Sequence, residues 1–214
     1  MPTSTDADVH FYEPRLGHGL PHDPFNAIVG PRPIGWISTV SEAGVANLAP
    51  YSFFNAFNYV PPIIGFSTIG WKDSVANASA TGEFCWSLAT KALAQQMNLT
   101  CAPAPPDVDE FDVAGLTRAP SRLIKSPRVL ESPVNFECRV SQIVQLQGAD
   151  GVKAQSWLVL GEVVMVHIDR AYLTTGVYET ADAHPILRAG RMGDYAEITP
   201  AAMFEMRRPG WPIE

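Results

Sequence analysis

The chain has 214 residues, 46% hydrophobic and 17% charged, with 15 lysines and arginines against 22 aspartates and glutamates for a net charge of −7. That length suits one domain with a sizeable core and no need of disulfides, and the composition excludes a disordered chain. The acidic balance argues against nucleic acid or an anionic membrane as partner, so an anionic ligand must find a local positive site.

Residues 1–24 read as an arm, because Met1 to Asp23 is polar and rich in Pro, Gly and His. The start lacks a basic stretch followed by an apolar core, and no run approaches the roughly 20 apolar residues that cross a bilayer, so a cytoplasmic protein is expected. The domain proper is expected over residues 25–208, with 209–214 as a tail. Pro31 and Pro33 fix an extended approach to a strand from Ile34 to Val40, in which Ser38 and Thr39 point to opposite faces. A turn at Ser41-Glu42-Ala43-Gly44 leads into a second strand, Val45 to Asn55, making a hairpin. Asn58 to Pro62 is a loop, and Ile63 to Thr68 reads as a buried strand.

A helix is predicted next, with Asp73 or Ser74 as N-cap and Gly82 as its end. Amides at such a start face an anion, and Ser67, Thr68, Lys72 and Ser74 add hydroxyls and a cation. A plain capped helix with a solvated lysine is the other reading of this stretch. Glu83 to Leu88 is a strand, and Thr90 caps a helix running to Leu99. Cys101 to Glu110 is a Pro- and Asp-rich loop that either connects or covers a site. Phe111 to Pro133 has no pattern that settles its structure. Val134 to Leu146 and Gln155 to Ile168 are long strands joined at Gly148-Ala149-Asp150-Gly151, and apolar residues on both faces predict cover on both sides, by the barrel interior and by helices or a second subunit. A last helix is predicted from Thr199 to Met206. Cys85, Cys101 and Cys138 lie far apart without a histidine set, so no metal site is expected. Strands joined by short turns, few helices and no Gly-x-Gly-x-x-Gly fingerprint predict a mainly β, antiparallel barrel.

Three segments occur in a telling order: Arg32-Pro33-Ile34 with Ser38-Thr39, then Asn47 through Phe54, then Lys72-Asp73-Ser74 with Asn77 and Thr81-Gly82-Glu83-Phe84. Together they resemble the flavin reductase-like family, and the resemblance continues through Gly161 to Asp169 and Leu187 to Tyr195. It implies an FMN-binding split β-barrel of antiparallel, Greek-key type that forms a homodimer. The activity it implies is an FMN-binding oxidoreductase: a flavin reductase that takes electrons from NADH or NADPH and supplies reduced flavin, or electrons, to a partner such as a monooxygenase. A flavoredoxin-like electron carrier, or a non-catalytic flavin-binding protein on the same barrel, is the alternative.

FMN needs a site for its phosphate, a flat apolar slot for its ring and donors at the ring edge. The resemblance maps Ser67, Lys72, Asp73, Ser74 and Asn77 to the phosphate segment, with Lys72 neutralising charge and Asp73 confined to capping. It maps Trp36, Ile37, Ser38, Thr39, Asn47, Ala49, Pro50, Tyr51 and Ser52 to the isoalloxazine and ribityl region. Arg191 and Tyr195 map to a late R-x-G-G-x-Y segment in which Met192 replaces the first paired glycine. His184 is either part of a nicotinamide pocket or an idle loop residue, Arg32 either supports phosphate or pairs at the surface, and His167 is structural. No residue is assigned as catalytic, because hydride transfer between stacked rings needs no protein acid or base.

Overall fold

A computed structural model describes residues 9–210; residues 1–8 of the expected arm and 211–214 of the expected tail lie outside the described residues. Seven strands form the main sheet: β1 Gly35–Val40, β2 Ala46–Tyr51, β3 Phe54–Asn58, β4 Ile63–Ile69, β5 Glu83–Ser87, β6 Val134–Gln147 and β7 Lys153–Ile168. Their order is β2-β1-β5-β6-β7-β4-β3, and every neighbouring pair is antiparallel. Because β4 lies against β7 while β5, β6 and β7 follow one another, the arrangement is a Greek key.

The expected strand from Val45 to Asn55 is in fact two strands, β2 and β3, at opposite edges of this sheet. Only Ser52 and Phe53 separate them, so the sheet must curl until its edges approach. Aromatic rings fill the curl. Phe54 of β3 stacks on Trp86 of β5 at 5.7 Å, Tyr51 lies 4.9 Å from Phe66, and Phe84 meets Phe66 edge-on at 5.3 Å. Gly161 of β7 is required here, since a Cβ would sit 2.4 Å from the Phe84 ring. Ile37, Phe66, Phe84, Cys138 and Val159 are fully buried inside this half-barrel, each large apolar side chain contributing about 1.5–3 kcal/mol.

Three helices position the site: α1 Asp73–Thr81, α2 Ala94–Leu99 and α3 Glu110–Ala114. The α1 helix lays Val75 and Ala78 on the interior cluster. On the other face of β1, Trp36 and Leu48 pack with Met97 of α2 and Phe111 of α3 in a second cluster. The strand alternation of β1 thus feeds two cores at once.

Several local expectations change. Lys72, not Asp73 or Ser74, is the N-cap of α1, and no side chain caps it. Thr90 makes no side-chain cap either; its backbone bridges Pro185, so a 3-10 turn at Lys91–Leu93 precedes α2. The predicted helix from Thr199 to Met206 is one 3-10 turn, Pro200–Ala202, because Met203, Phe204 and Met206 are exposed and a short helix without a packed face is not stable. The loop after Cys101 ends in α3, whose start is capped by Asp109 accepting from the Phe111 amide at 2.9 Å. Alternation holds along β7 from Val159 through Gly161 to Val163, which face the core, and breaks at the register irregularity between Val163 and Met165; beyond it Val166 is 48% exposed.

Candidate functional site

A cleft of about 370 Å³ opens between the end of β2 and the start of α1. Asn47, Ala49, Pro50 and Tyr51 form one wall, and Lys72, Asp73 and Ser74 form the facing one. The segment from Thr100 to Ala104 and the Glu110 side chain complete it. With no side chain capping α1, its first-turn amides remain open. The Lys72 ammonium makes no ion pair among the described residues. A free cation beside open helix amides suits a phosphate dianion, and Ala49, Pro50 and the Tyr51 ring offer an apolar wall for a flat ring system. The donor set therefore fits a flavin mononucleotide.

A hydrogen-bond network holds the walls in register. The Ser74 hydroxyl donates to Asn47 Oδ1 at 2.7 Å, and Asn47 Nδ2 donates to both Glu110 oxygens at 3.2 and 3.1 Å. The Leu48 amide donates to Glu110 at 2.9 Å. Behind them, Asn77 Nδ2 donates to Thr39 Oγ1 at 3.2 Å, and that hydroxyl lies 3.5 Å from Asn47 Oδ1. Asn47 can serve three elements because its amide carries both donors and an acceptor. Burial pushes the Glu110 carboxyl above its ordinary pKa despite the opposing bonds from Leu48 and Asn47. Burial also pushes the Tyr51 phenol up to about 12, against a bond to Ser74 and with help from Asp73 and Glu110, so it stays neutral.

Of the residues singled out from the sequence, seven line this cleft: Asn47, Ala49, Pro50, Tyr51, Lys72, Asp73 and Ser74. Thr39 and Asn77 stand behind it in the network. Trp36 is fully buried and acts from behind, its indole donating to the Thr100 hydroxyl at 3.0 Å. Ile37 belongs to the interior cluster, and the Ser38 hydroxyl donates to the Pro127 carbonyl on the opposite face of β1. Ser67 is half-buried in β4, its amide donating to the Phe53 carbonyl at 2.8 Å. Ser52 lies in an adjoining cavity with Arg32 and Tyr195, and Arg191 is exposed and lines neither space. His184 pairs with Glu197 at 2.7 Å, away from both.

Glu110 and the Thr100–Ala104 wall were not singled out. Their only sequence signal was the Pro- and Asp-rich loop, whose composition says nothing about where it packs. Among the described residues, no helix is long and apolar enough to cross a membrane, and no group of His, Cys, Asp and Glu could hold a metal.

Comparison with known proteins speaks to the family and the fold. Residues 30–186 match the family described as flavin reductase like domain. An uncharacterized protein of Aquifex aeolicus is 34% identical over 169 residues, 76% of this chain and 83% of its own. The crystal structure of nitrilotriacetate monooxygenase component B from Bacillus cereus superposes with a TM-score of 0.80 at 28% identity, covering 96% of this chain and 98% of that one. A Shewanella frigidimarina structure assigned as a flavin reductase with a split barrel domain gives a TM-score of 0.75 at 21% identity, again over 96% and 98%. The curled sheet is thus a split barrel, and the class it defines is the flavin-linked oxidoreductases. The chain belongs to the flavin reductase-like domain family.

Proposed function

We propose that the chain is an NAD(P)H-dependent flavin reductase that binds FMN in the cleft at the start of α1. The domain over residues 25–208 works as a cytoplasmic homodimer and supplies reduced flavin to a monooxygenase. The observation that carries this reading is the meeting, in one cleft, of an unpaired Lys72 and open helix amides with the apolar wall of Ala49, Pro50 and Tyr51. Held there by Lys72, the α1 amides and the wall of Ala49, Pro50 and Tyr51, FMN would supply the two-electron chemistry that links a nicotinamide donor to an acceptor.

The protein's own part is to bind and orient. Lys72 neutralises the phosphate, and the amides of α1 donate to it. The Ser74 hydroxyl is committed to Asn47, so it holds the helix start in place. Tyr51 stays a neutral phenol, which adds no negative charge beside a ring that becomes electron-rich on reduction. Glu110 fixes the orientation of Asn47 through two contacts. The monooxygenase partner rests on the likeness to a protein named as a monooxygenase component.

The test is the visible absorption spectrum of purified protein, followed anaerobically after NADH or NADPH is added. A bound flavin that bleaches rapidly, or turnover of added free FMN, is the expected result. A bound flavin that stays oxidised would make the chain an electron carrier fed by another reductase. A protein that is colourless and binds no FMN on titration sinks the cofactor assignment.

A further inference from the structure

Beside the flavin cleft lies a second cavity of about 260 Å³ that shares Pro50, Tyr51 and Cys101 with it. Among the described residues, the charged groups lining it are two guanidiniums, Arg32 and Arg188, with no aspartate or glutamate. Neither arginine makes an ion pair among the described residues. This occurs in a chain whose net charge is −7.

The two cations are held together by the backbone. The short strands Arg32–Pro33 and Ile186–Arg188 pair antiparallel, with Arg32 directly opposite Arg188. Like charges directly across a strand ladder are destabilising. Burial, and then the Arg188 charge, hold the Arg32 pKa below its ordinary value, and Arg32 as a whole is only 9% exposed. Backbone carbonyls soften the cost: Arg32 Nε donates to the Ser52 carbonyl at 3.1 Å, and its Nη1 donates to those of Asn26 and Val29. Its Nη2 has only the Ser52 hydroxyl at 3.5 Å, a distance too long for a good bond. Arg188 lies over the Tyr195 ring, with Cζ 4.9 Å from its centroid, and donates to the Met192 carbonyl. Two cations set opposite each other, walled in and without a carboxylate, break a local rule of stability, and such breaks concentrate at functional sites.

We propose that the Arg32–Arg188 cavity is a second anion subsite, separate from the one at Lys72, that takes a phosphate or diphosphate group of a nucleotide. The guanidinium forks match phosphate oxygens, and an anion between them removes the cross-strand repulsion. The shared wall of Pro50 and Tyr51 puts that anion next to the ring slot. Only the identity of that nucleotide rests on reading the adjoining cleft as a flavin site. Two sources carry the group: the diphosphate of the nicotinamide donor, or the diphosphate of a flavin dinucleotide.

The experiment begins with inorganic pyrophosphate, titrated calorimetrically into full-length protein carrying Lys72→Ala, which isolates the second subsite. Binding is expected, with a tenfold or greater loss on adding Arg188→Gln and a smaller loss with Arg188→Lys. Without ligand, the thermal midpoint of the Arg188→Gln protein should hold or rise, because repulsion is relieved; a merely structural arginine would lower it. Pyrophosphate binding that is undetectable, or unchanged by Arg188→Gln, overturns the proposal. With Lys72 intact, Arg188→Gln that raises KM for NADH or NADPH about fivefold while leaving FMN affinity unchanged assigns the subsite to the donor. Weakened FAD binding with an unchanged donor KM assigns it to the flavin. The pyrophosphate titration needs neither flavin nor turnover, so failure of the reductase reading and failure of the subsite give different results.

Discussion

Two buried glutamates receive opposite treatment in this molecule. Glu137, on β6 and fully buried, accepts from the amides of Arg122 and Leu123 at 2.7 Å each and from His167 at 2.6 Å. Burial alone would raise its pKa, but the two amides and His167 together outweigh it and hold the carboxyl below its ordinary value. Glu110, 6% exposed at the edge of the cleft, has fewer donors, and there burial wins and holds the carboxyl above its ordinary value. Glu137 is thus a fixed charge that braces the scaffold, tying the irregular segment after Pro120 to the sheet. Glu110 is a carboxyl that burial holds nearer to its neutral form, and it lines the cleft. The back of the barrel is built for stability, and the cleft gives some stability up for a site.

The sharpest way to break this comparison is Glu137→Gln. It leaves one buried amide facing a donor, so a loss of about 2–4 kcal/mol in unfolding free energy is expected by urea titration, with FMN affinity unchanged. The same variant checks the pH sign. Ionised Glu137 contributes stability above the unfolded carboxylate value of about 4.3, and that contribution is lost as pH falls through the depressed folded value. The variant should lack this acid-side loss; equal acid profiles would remove Glu137 from the scaffold argument.

Lys72→Ala acts on the cleft alone. The FMN dissociation constant should rise about tenfold, equal to ~1.4 kcal/mol, while flavin-free unfolding is unchanged. Should the two measurements trade places, Lys72 is structural. Glu110→Gln sharpens the contrast further. Asn47 loses one acceptor, so FMN affinity should fall about threefold, or ~0.7 kcal/mol. Wild-type stability should decline as pH rises from the unfolded carboxylate value through the raised folded value of Glu110, and the variant should not share that decline. The smallest effect belongs to Arg191→Ala. Exposed and outside both spaces, it should change FMN affinity by less than about twofold, ~0.4 kcal/mol, and a larger loss would return Arg191 to the site.

Local chemistry made much of this legible in advance. The turn at Ser41 to Gly44, the alternation of Ile34 to Val40 and the Gly148 to Gly151 turn each encode a strand boundary over a few residues. The opposite aims of Ser38 and Thr39 follow from the same period of two, and their partners, the Pro127 carbonyl on one side and Asn47 on the other, lie on opposite faces. Where local signals were weak, tertiary contacts decided. Thr90 had the residue type of a cap, yet its backbone was taken by the bridge to Pro185. Thr199 and Pro200 had the form of a helix start, yet among the described residues Met203, Phe204 and Met206 that follow are exposed.

By itself, then, the sequence determined that strands dominate, where most of them begin and end, and which short segments carry the hydroxyls, the lysine and the helix start of the cleft. Those features depend on neighbours a few positions away. Only the tertiary structure decided that Glu110 reaches Asn47 across 63 positions, that β2 and β3 part to opposite edges, and that Arg188 rather than Arg191 stands opposite Arg32. Each of these is a matter of how segments distant in sequence pack and pair, which burial of the whole core selects and no local pattern of residues encodes.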